Sequence, residues 1–282
     1  MSKIIALVDG SVYSESVCDY AAWVATRRAL PVELLHVLGR REGGRSNLSG
    51  SIGLGARSKL MEELAELDTQ TAKLALRGGR AILEDAEKRL RADGVGEVSS
   101  RLRHGDLIEE LGEAETGAEL VVVGKRGEAA DFARLHLGSN LERAVRASTK
   151  PVLVTARAFR PVEHFLIAFD GGASTQLAVG HVARSKEFAG LKCTLLMAGE
   201  DVAENRRKLE GAAAELKAAG YEVSVELKPG RADVVITEAV MAGGSDMLLM
   251  GAFGHSRIRS LIIGSTTAVM VRDCHVPVLL FR

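Results

Sequence analysis

Gly251-Ala252-Phe253-Gly254 is followed, after nine residues, by Gly264-Ser265-Thr266. Glycine lacks a Cβ and tolerates positive φ, so its amide can approach an anionic oxygen closely. The first glycine follows the apolar run Met247–Met250 directly, and Gly264-Ser265-Thr266 has the composition of a helix start. Free amides and the helix dipole favour an anion at such a place. The hydroxyls of Ser265 and Thr266 add donors. The residues between the glycines include His255, Arg257 and Arg259 and no acid, so the segment is locally cationic. This chemistry suits a phosphate-bearing ligand. A second polar group, Asp170, ends another apolar run, Phe165-Leu166-Ile167-Ala168-Phe169, and precedes Gly171.

The elements that must position these groups occur twice. Residues 4–10 read IIALVDG and residues 165–171 read FLIAFDG; residues 120–127 read LVVVGKRG and residues 247–254 read MLLMGAFG. Leu137-Gly138-Ser139 matches Ile263-Gly264-Ser265, and each copy closes on a proline-led run, Pro151-Val152-Leu153-Val154 and Pro277-Val278-Leu279-Leu280. Shared landmarks in the same order indicate duplication. Asp9 and Asp170 lie 161 residues apart but Gly124 and Gly251 only 127, so the first copy carries 34 extra residues, within 39–94. Their first part, 43–55, is glycine- and serine-rich and reads as a loop or mobile cover. It has no Lys-Ser/Thr ending and is not a Walker A element. Their second part, 57–92, reads as a long amphipathic helix through Leu60, Leu64, Leu67, Leu74, Leu83 and Leu90, serving core or interface, with a break or kink expected at Gly78-Gly79.

Each copy alternates short apolar runs with helical stretches, in the order β-α-β-α-β-α-β-α-β. In the second copy strands are expected near 164–169, 192–198, 222–228, 246–250 and 277–281, and helices near 174–189, 201–219, 231–243 and 265–273. The alternation predicts an α/β fold of two tandem open-sheet, Rossmann-like domains. Each has a mainly parallel five-stranded sheet flanked by helices. The domains are placed at 1–157 and 158–282. In such sheets a ligand lies beyond the carboxyl ends of the strands, where the winding reverses, which points to Asp170, Ala198 and the loop after Met250. The proline-led fifth strands suit sheet edges, and the two are expected to pair within one chain.

The pattern G-x2-G-x9-G-S-T, with the strand-end Asp170 and the proline-led last strand, resembles the ATP-binding signature of the universal stress protein family, and the resemblance spans the chain as two tandem units. It implies ATP as cofactor, with or without Mg²⁺. It implies that Ala168, Phe169 and Asp170 border adenine and ribose, that Ala198 and Met250 wall the adenine, and that Gly251, Gly254, Gly264, Ser265 and Thr266 hold ribose and phosphates. His255 and Arg257 are added on charge alone. The function implied is a nucleotide-binding stress-response module with a sensing or regulatory role and no catalytic residues. A slow ATPase and a nucleotide-free dimerisation scaffold are the alternatives.

The first copy departs from this pattern. Gly124-Lys125-Arg126-Gly127 is followed by ten residues and then Gly138-Ser139-Asn140, and the spacer carries Glu128 and Asp131. Asp9, Val37, Gly124, Gly127, Gly138, Ser139 and Asn140 therefore read as a degenerate second site. Asp9 and Asp170 also suit plain Asp-Gly turns. Gly138-Ser139 and Gly264-Ser265 also suit helix starts with serine as N-cap, the preferred reading for the first copy. His104-Gly105-Asp106 and Pro229-Gly230-Arg231 correspond, and each should turn the third strand into the third helix.

Lys plus Arg and Asp plus Glu both number 37, so the chain lacks the basic excess of a nucleic-acid binder. Aromatics at 4% argue against a base-stacking platform. Cys18, Cys193 and Cys274 are scattered, read as buried thiols and fit a reducing compartment. Without a membrane-length apolar run or a leader-like start, a cytoplasmic protein is expected. The expected partners are an adenine nucleotide, a second copy of the chain through the exposed face of the long helix, and an unidentified regulatory protein.

Overall fold

The computed structural model describes residues 2–39, 54–127, 139–252 and 264–282. The first copy runs β1 (Lys3–Leu7), α1 (Ser14–Arg28), β2 (Val32–Gly39), α2 (Leu54–Ala92), β3 (Val98–Gly105), α3 (Leu107–Ala114), β4 (Ala118–Gly124), α4 (Ser139–Ala147) and β5 (Val152–Thr155). The second runs β6 (His164–Ala168), α5 (Ala173–Arg184), β7 (Lys192–Ala198), α6 (Ala203–Ala218), β8 (Val223–Lys228), α7 (Ala232–Ala239), β9 (Met247–Gly251), α8 (Ser265–Asp273) and β10 (Val278–Phe281). A wider π turn over Val240–Gly244 extends α7.

The strands are short because each apolar run ends in Gly, Asp or a polar turn. The eight inner strands are largely buried on both faces, as parallel strands covered by helices must be, whereas the edge strands β3 and β8 are mostly half-buried or exposed. Ile4, Ala6 and Val8 of the first run face one core with α1, α2, α5 and α6, whereas Ile5 and Leu7 face the other, with α3, α4, α7 and α8. The sheet order is β3-β2-β1-β4-β5-β10-β9-β6-β7-β8. All pairs within a copy are parallel, and the copies join through antiparallel β5 and β10, with Leu153 opposite Leu279. The expected pairing of the fifth strands thus produces one ten-stranded sheet. Pro151 and Pro277 stand just before β5 and β10, where no ladder amide is needed, and their carbonyls accept from Val121 and Leu248.

Side chains cross the seam between copies. Arg27 donates to the carbonyls of Glu187 and Ala189, each at 2.5 Å. Arg28 pairs with both Glu119 and Glu187. Burial alone would raise the Glu187 carboxyl, but its 2.7 Å contact with His181, a backbone hydrogen bond and the nearby Arg28 charge together hold it below the ordinary range. Asp106 caps α3, accepting from the Ile108 amide at 2.9 Å, as the turn reading required. The three cysteines are free and buried, and burial pushes the Cys18 and Cys193 thiols up to about 12 and Cys274 up to about 11. Among the described residues no helix is long and apolar enough to cross a membrane.

One local expectation is corrected. α2 runs unbroken through Gly78-Gly79. A Cβ at Gly79 would lie 2.8 Å from Leu102 Cδ1 and 3.0 Å from His36 Cδ2. Glycine there serves the close approach of α2 to β2 and β3 rather than a break. The leucine series also divides: Leu83 and Leu90 are buried in the core, whereas Leu64, Leu67 and Leu74 are exposed. The loop at 43–55 lies outside the described residues except for Leu54 and Gly55, which begin α2.

Candidate functional site

In the second copy the winding reverses between β6 and β9, which are adjacent and lead to α5 and α8 on opposite faces of the sheet. A cavity of about 390 Å³ opens there, beyond the strands' carboxyl ends. That volume falls in the range of roughly 300–1,000 Å³ common for small-molecule sites. Of the residues expected from the sequence, it brings together Ala168, Phe169, Asp170, Ala198, Met250, Gly251, Gly264 and Thr266. Leu196 and Ile236 extend the apolar wall, and Gly172, Ala173, Ser174, Thr175, Ala232, Thr267 and Arg282 complete the lining.

The turn after β6 is fixed by Asp170. Its Oδ1 accepts from the Gly172 amide at 2.8 Å and the Thr175 hydroxyl at 2.7 Å. Gly171 between them has φ +76°, which a side chain rarely adopts. The turn reading of Asp170 is therefore real, and Asp170 also stands at the cavity. Phe169 is anchored by its amide to the Leu196 carbonyl at 2.8 Å, and its side chain belongs to the core on the α1 and α5 face.

The opposite wall is the start of α8. Gly264, not Ser265, occupies the N-cap position, and no side chain among the described residues caps the helix. Among the described residues no acceptor takes the amides of Ser265, Thr266 and Thr267, the orphan donors of a first helical turn. Thr267 Oγ1 donates to the Gly251 carbonyl at 3.1 Å and the Gly264 amide reaches the Ala252 carbonyl at 3.3 Å, tying the helix start to the end of β9. Ser265 is exposed, and the described wall of the cavity is formed by Thr266 and Thr267. Gly254, His255 and Arg257 lie outside the described residues. Arg282, after β10, contributes a cation that sequence reasoning missed; its Nη1 donates to the Arg146 carbonyl at 2.8 Å at the end of α4.

The matching region of the first copy is built differently. Asp9 Oδ1 accepts from the Ser11 amide at 3.0 Å and the Ser14 hydroxyl at 3.2 Å, repeating the turn of Asp170. The residue matching Ser174 is Tyr13, which is buried against the end of β4. A Cβ at Gly124 would lie 2.7 Å from Tyr13 Cβ, and one at Gly127 would lie 2.9 Å from Asp9 Oδ2. Tyr13 and Asp9 thus sit directly on the two glycines of this loop. Val37 is half-buried at the end of β2, Ser139 begins α4, Asn140 is exposed, and Gly138, Glu128 and Asp131 lie outside the described residues.

The model of the universal stress protein family matches residues 1–156 and again residues 161–282. The chain is 36% identical over 287 residues to the universal stress protein Slr1230 of Synechocystis sp., covering 100% of both chains. A universal stress protein of Mycolicibacterium smegmatis is 22% identical, over 99% of this chain and 96% of the relative. The crystal structure of a universal stress protein from Archaeoglobus fulgidus shares the fold, with a TM-score of 0.71 at 20% identity, over 100% of this chain and 96% of that one.

Proposed function

Since the chain belongs to the universal stress protein family, we propose that it binds one adenine nucleotide, ATP in the first instance, in its second copy, and acts as a sensing or regulatory module in a stress response. The observation that carries this reading is the start of α8, uncapped among the described residues, opening into a cavity with largely apolar walls. Ala168, Leu196, Ala198, Ile236 and Met250 offer a surface for a flat base. Asp170, at the rim, is an acceptor for ribose hydroxyls. The amides at Gly264–Thr267 and the Thr266 hydroxyl suit phosphate oxygens, and Arg282 adds positive charge.

The first copy supports assignment to the second alone, because Tyr13 occupies the place that Ser174 leaves open. Binding is preferred to turnover because the Oδ1 of Asp170, the carboxylate among the described lining residues, already serves the Gly172 amide and the Thr175 hydroxyl. An efficient hydrolase needs a free group to orient water or hold Mg²⁺ near the γ-phosphate.

Mass spectrometry of the nucleotide released from freshly purified, denatured protein, with calorimetric titration of the emptied protein, tests the proposal. One adenine nucleotide per chain is expected. No heat with ATP, ADP or AMP at millimolar concentration would overturn it, and rapid ADP formation under single-turnover conditions would replace the binding role with an enzymatic one.

A further inference from the structure

Among the described residues, every one from Met61 to Leu74 of α2 is exposed. Helical segments of this length are marginal in water without tertiary packing. α2 is 39 residues long, about 58 Å at 1.5 Å per residue, and its contacts with α1, β2 and β3 belong to the half that carries Gly79, Leu83 and Leu90. Leu64, Leu67, Thr71 and Leu74 follow the alternating three- and four-residue spacing of a coiled-coil seam, and Gly78 continues it. Leu64, Leu67 and Leu74 stand 39%, 56% and 64% exposed, too much apolar surface in one stripe for an unpaired helix.

We infer that this seam is an antiparallel docking surface for α2 of a second copy of the chain. The charges select the occupant and its direction. After Arg57 and Lys59 in its first turns, the helix is acidic from residue 62 to 68, with Glu62, Glu63, Glu66 and Asp68, and basic from 73 to 80, with Lys73, Arg77 and Arg80. A parallel copy would set like against like. An antiparallel copy that places Leu64 against the partner's Leu74, and Leu67 against the partner's Thr71, brings Glu63 beside the partner's Arg77. The same contact repeats on the other side of the two-fold axis. Met61 meets the partner's Ala75 and widens the apolar strip. Asp68 meets its own copy beside the axis and is the cost of this register. The pairing leaves the nucleotide cavity untouched and does not depend on the nucleotide assignment.

Sedimentation equilibrium of the full chain across micromolar concentrations tests this. The native protein should approach twice the 30.0 kDa of one chain. Leu67→Lys, at a position exposed in the monomer and outside the core, should remain at 30.0 kDa and still unfold cooperatively, with a smaller helical circular dichroism signal as the unpaired part of α2 frays. Glu63→Arg and Arg77→Glu should each weaken self-association at least about fivefold, and an equimolar mixture of the two should dimerise as well as the native chain, because each variant then meets its complement. A chain that stays at 30.0 kDa at every concentration, a dimer that survives Leu67→Lys, or a mixture no tighter than its components would overturn the inference.

Discussion

Tyr13 and Gly124 meet at the end of β4 so closely that a Cβ on the glycine would lie 2.7 Å from the tyrosine Cβ. The fourth residue after the strand-end aspartate is thus a bulky ring in the first copy and Ser174 in the second. The residue filling the first site is supplied by the same turn that, in the second copy, lines a cavity.

On the proposed function, this difference predicts the stoichiometry. Calorimetry should give one nucleotide per chain. Gly264→Asp, which places a carboxylate among the amides at the start of α8, should weaken ATP at least about tenfold by charge repulsion alone. Residual binding at native strength in that variant would mean that the first copy holds the ligand.

Thr175 links the turn to the site, since its hydroxyl bonds Asp170 Oδ1 at 2.7 Å. Thr175→Val should cost about 1 kcal/mol of stability and weaken nucleotide binding several-fold by loosening Asp170. Thr175→Ser should restore both. Urea unfolding and titration on the same samples separate the two effects, and an unchanged affinity in Thr175→Val would remove Asp170 from the ligand's contacts.

The adjacent glycines of α2 should respond in opposite directions. Nothing lies within 4 Å of a Cβ at Gly78, so Gly78→Ala should stabilise the protein by about 0.5–1 kcal/mol through helix propensity. Gly79→Ala meets Leu102 and the His36 ring and should destabilise it by roughly 1–3 kcal/mol. Chemical denaturation midpoints measure both, and the same sign for the two would contradict the packing described.

Lys125 carries a pH dependence. Its Nζ donates to the carbonyl of Cys274, at the end of α8, at 2.8 Å, and burial lowers its pKa from 10.5 to about 8. Between those values the unfolded chain holds a proton that the folded chain has released, so stability from this group rises with pH across that window and is flat below it. Relative to Lys125→Met, the native protein should gain melting temperature from pH 8 towards pH 10. Groups titrating in both proteins cancel in the difference, and a constant gap would show that the amine is not buried as described.

Much of this was legible in the sequence, for a physical reason. Parallel strands covered on both faces are short apolar runs with sharp ends, so the second copy's strands, expected near 192–198 and 246–250, occur at Lys192–Ala198 and Met247–Gly251. The same strand ends carry Ala168, Asp170, Ala198 and Met250 to the cavity. Ile236 and Arg282 arrive there from α7 and from beyond β10, and no local pattern marks a side chain that reaches a site only through tertiary packing. Only the alternative reading of Ser265 as the helix cap is off by one position, because the helix begins at that residue and Gly264 takes the cap. The break expected at Gly78-Gly79 failed because the approach of α2 to His36 and Leu102 outweighs glycine's low helix propensity. Tyr13 was within reach: aligning the copies sets it opposite Ser174.

The antiparallel pairing of β5 with β10 has an evolutionary consequence. In an assembly of two identical polypeptides every substitution enters both subunits at once, so a ring that plugs one pocket plugs the other. Covalent fusion removes that constraint. A substitution is then inherited by one half only, so matching positions can differ, as Tyr13 and Ser174 do.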